Sequence, residues 1–280
     1  MIAIGEYNEL QVLRDTSSGL FLGDNAGQDV LLPGKYIPVG TQVGDKLKVF
    51  IYKDSEDRPV ATTETPKVTL HRFAMLKAVM VNEIGAFLDW GLEKHLFVPY
   101  REQNKKMEEG RYYMIYLFLD EQTDRLVASA KINQFLDNET LTVRTGDAAE
   151  ILIWEKTDLG YNVIVNQLHK GLIYDNEVFT EIIPGQTVNG FIRNIREDRK
   201  LDISLQQQGY GQVEPSAQKL LDVLKANKGF LDLGDDSPPE LITRRLQMSK
   251  KTFKKAVGAL YRKKLIVLKE DGIHLAEAKA

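Results

Sequence analysis

The chain has 280 residues, a net charge of −3, 43% hydrophobic residues and no cysteine. That composition is globular rather than disordered or collagen-like, and the length suits one large domain or two ordinary ones. The lack of cysteine excludes disulfides, zinc–thiolate sites, iron–sulfur clusters and a cysteine nucleophile, and the acidic balance, taken alone, argues against a nucleic-acid binder.

Three segments of the chain repeat one pattern. The first runs SGLFL, DVLLP, VGDKLKVFIY, SEDRPVATT; the second IGAFL, HLFVP, EEGRYYMIYLF, QTDRLVASA; the third LGYNVIV, KGLIY, PGQTVNGFI, REDRKLDISL. The glycine pairs Gly19/Gly44, Gly85/Gly110 and Gly160/Gly185 keep one identical spacing, and Pro33, Pro99 and Tyr174 stand at equivalent places after the first glycine. Asp-Arg pairs begin at Asp57, Asp124 and Asp198. Such self-similarity marks a repeated structural unit.

Each unit reads as β. Lys46–Tyr52, Tyr112–Leu119 and Gln186–Ile192 are β-branched, aromatic and partly alternating, and turn residues such as Pro33-Gly34 and Pro184-Gly185 punctuate them. A module of about 65–70 residues with five short strands avoids exposed edges by closing into a barrel. The repeats are assigned to residues 1–65, 66–142 and 143–213, with Gln206–Val213 a flexible connection. The longest apolar runs, such as Ile151–Trp154, are too short to cross a bilayer, and MIAIGEYNEL lacks the regions of a secretory signal. No membrane partner and a cytoplasmic location are expected.

The tail, residues 214–280, follows a different pattern. Ser216–Asn227 has serine at an N-cap position and Leu220, Leu221 and Leu224 at helical spacing. Ser237-Pro238-Pro239-Glu240 predicts a second helix start, with Leu241, Ile242 and Leu246 behind it. Ser249 caps a third helix whose Phe253, Val257, Leu260 and Tyr261 form one apolar stripe. LIVLKEDGIHLA then reads as strand, turn, strand. Three helices and a terminal hairpin predict a winged helix-turn-helix. The expected fold is therefore mainly β with a C-terminal α+β module: three tandem five-stranded OB-type barrels, then a winged helix.

The charge is unevenly spread. The three repeats carry −4, −1 and −3, and the tail carries +5. Lys250–Lys264 holds seven cations, Lys250, Lys251, Lys254, Lys255, Arg262, Lys263 and Lys264, and no acid. A solvated helix face normally mixes signs; clustered cations are the footprint of phosphate binding. A solvated helix or an acidic protein partner is the plainer alternative.

With SGLFL, IGAFL and LGYNV, the landmark that follows each, and the D-R-x-x-x-x-S ending, the repeats resemble ribosomal protein S-one-type RNA-binding domains, five-stranded OB barrels. Three such copies before a winged helix are similar to the conserved virulence factor B family of bacterial RNA-binding regulators. The resemblance implies single-stranded RNA as partner, with an aromatic after the G-x doublet stacking a base: Phe21 and Phe87, while the third copy has Asn162 with Tyr161 beside it. A second stacking position falls near Leu32 and Val98, which are not aromatic, and at Tyr174. The family's basic residue maps to Lys200, with Arg199, Arg193 and Arg196 nearby. Trp90 reads equally as a barrel cap or a stacking residue, and the phenylalanines also suit a barrel core.

His71, His95, His169 and His274 fall in no metal-ligand spacing, and no GxSxG, GxxxxGK[ST] or GxGxxG occurs. The expectation is a non-enzymatic, monomeric RNA-binding regulator of gene expression without cofactor or metal. Its winged helix could also take duplex nucleic acid. The competing readings are a DNA-binding transcription regulator and a protein-interaction scaffold.

Overall fold

A computed structural model describes residues 2–24, 26–178, 181–205, 215–234, 236–269 and 271–276. The chain divides into two compact units between residues 205 and 206. The connection expected at Gln206–Val213 lies outside the described residues.

In the first unit, β1 (Tyr7–Thr16), β2 (Gly19–Gly23), β3 (Asp29–Pro33), β4 (Lys46–Lys53) and β5 (Pro59–Thr62) close into a barrel of order β1-β2-β3-β5-β4. The second repeat forms β6 (Phe73–Asn82), β7 (Gly85–Asp89), β8 (Leu96–Pro99), β9 (Tyr112–Asp120) and β10 (Arg125–Ser129). The third forms β11 (Ala148–Thr157), β12 (Gly160–Val165), β13 (His169–Tyr174), β14 (Thr187–Ile195) and β15 (Leu201–Ser204), a second closed barrel. In every repeat the long first strand pairs one half with the second strand and the other half with the fourth, and its register shifts at a bulge, at Val12/Arg14, Ala78/Met80 and Ile153/Glu155. A bulge bends a strand, as closing a small barrel requires.

The first glycine of each repeat has a steric reason. A Cβ on Gly19, Gly85 or Gly160 would lie 2.2, 2.3 or 2.0 Å from the carbonyl oxygen of Leu32, Val98 or Ile173 on the neighbouring strand. Only glycine permits that backbone approach.

The middle repeat departs from expectation. It is a five-stranded sheet of order β10-β9-β6-β7-β8, without a closing ladder between β8 and β10. In the third barrel Ile173 pairs with Ile203 across the closure. At the equivalent Val98, the carbonyl accepts a hydrogen bond from the buried Gln103 Nε2 at 3.0 Å. The strands β8 and β10 still lie side by side, and packing of Leu96, Val98, Ile115, Leu117 and Ala128 fills the core between them.

The repeats share cores. On β4, Val49 and Ile51 point into the first barrel, whereas Phe50 and Tyr52 join the core of the second. That accounts for the unbroken apolar run VFIY, since a strand buried on both faces shows no alternation. On β11, Ile151 and Ile153 fill the third barrel while Leu152, with Ile164, packs against Phe73, Met114 and Ile132 of the second. The connection between the second and third repeats is pinned too: Asn138 exchanges hydrogen bonds of 2.7 and 2.9 Å with the Lys170 backbone.

The second unit comprises α1 (Pro215–Ala226), β16 (Phe230–Leu231), α2 (Pro239–Leu246), α3 (Lys250–Arg262), β17 (Ile266–Lys269) and β18 (Gly272–Leu275). The strands form a sheet of order β16-β18-β17, as a winged helix requires. Helix α1 begins at Pro215, so Ser216 lies inside its first turn, and Pro238 rather than Ser237 stands at the N-cap of α2. Ser249 does cap α3, accepting from the Thr252 N–H at 3.1 Å. Phe253, Val257 and Leu260 are buried as the periodicity predicts, but Tyr261 is 55% exposed and lies outside that stripe.

Replacing Gly160 by alanine puts a methyl group against a backbone oxygen and should destabilise the first unit by about 1–3 kcal/mol, the usual cost of overpacking. Gly34→Ala, which meets nothing within 4 Å, should stay within about 0.5 kcal/mol. Thermal unfolding of the two variants checks this; equal losses would contradict the steric account.

Candidate nucleic-acid interface

OB barrels bind along the face of their second and third strands, and the register defines which side chains share it. Phe21 faces Leu31, Phe87 faces Phe97, and Asn162 faces Leu172. Leu32 and Val98 point the other way and are fully buried. The second outward position is therefore the one held by Leu31, Phe97 and Leu172, one place before Leu32 and Val98 in the first two copies; in the third, Tyr174 lies two places after Leu172 on the same half-buried face of its strand. Phe97, missed in the sequence, occupies it in the middle repeat. The strand alternation His95-Leu96-Phe97-Val98 was the available signal.

Among the three copies, the middle one has aromatic rings on both strands. Phe87 and Phe97 are half-buried, with centroids 5.1 Å apart and planes tilted by 36°. They line a cavity of about 280 Å³ with Tyr52, Lys53, Lys94 and Arg125. In the first barrel the Arg14 guanidinium lies 4.0 Å over the Phe21 ring and pairs with Asp29 at 2.7 Å, so the chain's own cation covers that face.

Trp90 is buried, 3% exposed, and is not on an open surface. Its ring packs edge-on against Phe50 and Tyr52 of β4, and its Nε1 donates to the Lys94 carbonyl at 2.6 Å. It cements the seam between the first two repeats. Burial there also pushes the Tyr52 hydroxyl pKa up.

In the third barrel, Tyr161 is half-buried against the core, with Lys156 Nζ 4.3 Å above its ring. Tyr174 receives a hydrogen bond from Arg196, which is also held by Asp202 through two bonds of 2.7 and 2.9 Å. Hydrogen bonding to Asp202 raises the pKa of the already charged Arg196 guanidinium further. Arg193 pairs with Glu177 at 2.6 Å, Arg199 with Glu139, and Lys200 with Asp198 at 2.7 Å. Lys170, Arg196, Lys200, Asn162 and Leu172 line a groove of about 490 Å³, together with Asn133, Leu136 and Asn138. The repeated Asp-Arg pairs form turns: Asp57, Asp124 and Arg199 have φ of 62°, 52° and 59°.

In the second unit the buried face of α3 leaves Lys251, Lys254, Lys255, Arg262 and Lys263 exposed, with Lys250 half-buried. Arg262 Nε donates to the Gly258 carbonyl at 3.2 Å. Helical spacing from Lys251 to Lys254 and Lys255 puts these three on one side of the helix. Among the described residues no group of His, Asp and Glu could hold a metal ion, and no helix is long and apolar enough to cross a membrane.

Residues 218–275 match the family model of the CvfB-like winged helix domain, and residues 4–64 match that of the S1 domain. The chain resembles conserved virulence factor B. It is 25% identical over 251 residues to the protein of that name from Staphylococcus aureus (strain USA300), covering 84% of this chain and 81% of that one. The Staphylococcus epidermidis protein (strain ATCC 12228) is 24% identical over 243 residues, covering 84% and 82%. "Uncharacterized protein YitL" of Bacillus subtilis (strain 168) is 27% identical over 273 residues, covering 91% and 88%. A solved multidomain protein with nucleic acid binding domains, from Streptococcus pneumoniae, aligns over 97% of this chain and 98% of its own, at 24% identity and a TM-score of 0.43. OB barrels and winged helices are nucleic-acid-binding folds, and nucleic-acid binding is the function that the two domain matches support.

Trp90→Ala empties the seam between the first two repeats and should cost about 3–5 kcal/mol. Denaturant unfolding would measure it. A loss under about 1 kcal/mol would mean that the repeats do not depend on this contact.

Proposed function

We propose that the chain is an RNA-binding regulatory protein of the cytoplasm, acting after transcription and without catalysis, and that its target is single-stranded. The observation that carries this reading is the Phe87/Phe97 pair, two half-buried rings on the binding face of the middle repeat. A single strand offers unstacked bases to such rings, each stack contributing about 1–3 kcal/mol; a duplex does not. Helix α3 supplies the complementary term, exposed cations that hold phosphates without reading sequence. Modules that are weak alone gain affinity when linked in one chain, and a monomer suffices for that.

A second reading has its own support. A helix capped at Ser249 and exposing Lys251, Lys254 and Lys255 has the form of a recognition helix, which enters the major groove of duplex DNA. Competition separates the two: duplex DNA should displace a labelled single-stranded RNA poorly under the first reading and well under the second.

The division of labour is testable in the full chain by RNA binding across a salt series. Phe87→Ala or Phe97→Ala should weaken binding about 5- to 150-fold, the equivalent of one base stack, with the salt slope unchanged. Lys254→Glu with Lys255→Glu should weaken binding and flatten the slope. Equal slopes for the two kinds of variant would contradict the assignment, and no binding to single-stranded RNA at low salt would end it.

A further inference from the structure

The turn between β4 and β5 of the first barrel carries Asp57, whose carboxylate draws cations from the second repeat. Arg125 donates to its Oδ2, and Lys94 Nζ lies 3.7 Å from its Oδ1 while donating to the Asp54 carbonyl at 2.6 Å. Lys53, beside this turn, is only 12% exposed and pairs with Asp124 at 2.6 Å. The Arg125 hydrogen bond, followed by the charges of Arg125, Lys94 and Lys53, holds the Asp57 carboxyl below the usual carboxylate range. Lys53, Asp57, Lys94 and Arg125 all line the cavity that contains Phe87 and Phe97.

Two cations of the second repeat, Arg125 and Lys94, therefore face the Asp57 carboxylate of the first beside an aromatic pair, while Lys53 next to them is held by Asp124. A guanidinium binds carboxylate and phosphate through the same fork of donors, so Asp57 holds the place that a backbone phosphate could take. Arg125 and Asp57 are 56% and 37% exposed, so side-chain rotation alone can exchange one anion for the other.

We propose that Lys94 and Arg125 form a phosphate subsite for a nucleic-acid strand whose base stacks on Phe87 and Phe97, and that Asp57 of the first barrel fills this subsite until the strand displaces it. The proposal rests on the single-strand reading above and goes beyond it in assigning the first barrel a role. That barrel is acidic and its own Phe21 is covered by Arg14. Instead of binding a strand itself, it completes and restrains the site of its neighbour.

The test uses the full chain and a fluorescein-labelled single-stranded RNA dodecamer, with affinity measured across a salt series. Asparagine has the shape of aspartate and tolerates the positive φ of this turn, so Asp57→Asn removes the charge and keeps the backbone. It should tighten binding about two- to fivefold, the scale of one exposed ion pair. The salt slope should steepen, because the freed cations then release their own counterions. Glu93→Gln is the control: Glu93 pairs with Lys35 across the same seam but lies outside the cavity, and this variant should bind as the parent does. Arg125→Gln should weaken binding and flatten the slope, which a strut serving only stability would not do. Unchanged or weaker binding by a folded Asp57→Asn variant, or equal tightening by Glu93→Gln, overturns the subsite. If Phe87→Ala still weakens binding in that case, the single-strand reading stands without it. If the parent chain binds no dodecamer, both are lost.

Discussion

A five-stranded barrel built from so short a stretch of chain has a thin core, because a small module buries a small fraction of its surface. Here that shortage is met by sharing. Trp90 of the second repeat sits between Phe50 and Tyr52 of the first, and one continuous apolar cluster runs from β4 and β5 into the half-barrel beyond. The site on the middle repeat depends on this seam. It sets the Asp57 turn beside Phe87 and Phe97, and it fixes Lys94 through the bond between its carbonyl and the Trp90 indole. A second shared cluster, around Phe73, Met114 and Leu152, joins the half-barrel to the third barrel. The middle repeat is thus supported on both sides, which fits its lack of a closing ladder.

Electrostatics follow the same division. A net charge of −3 averages a −8 segment and a +5 tail. Within the acidic segment most cations near the binding faces are already paired: Arg14 with Asp29, Arg125 with Asp57, Arg196 with Asp202, Arg199 with Glu139. A phosphate must compete with those carboxylates, so the affinity proposed there rests mainly on stacking. Helix α3 has no acid of its own, and its attraction for phosphates falls with salt.

Much of the architecture was legible in the sequence because hard constraints left marks. The glycine at 19, 85 and 160 is there because a Cβ would strike a carbonyl oxygen. Ser249 marks α3 because its hydroxyl takes up an otherwise unbonded N–H. What failed was cross-strand register. Placing the second stacking position at Val98 lands on a buried side chain, whereas the preceding position is outward Phe97, and a slip of a single place exchanges the faces of a strand. Trp90 follows strand β7 in a way that suits burial and exposure alike; its neighbours in space, Phe50 and Tyr52, lie far away in the chain. The missing ladder between β8 and β10 was likewise invisible, since it is a matter of backbone pairing between strands whose side-chain pattern matches that of the closed barrels.

The central claim is that base contacts concentrate on the middle repeat while cationic contacts concentrate on α3. The most direct measurement is photocrosslinking of the full chain to single-stranded RNA carrying 4-thiouridine, with the crosslinked residues mapped by mass spectrometry. The account predicts crosslinks at Phe87 and Phe97 and on the exposed side of α3, with none at Phe21. Crosslinks at Phe21 that leave Phe87 and Phe97 untouched would contradict it.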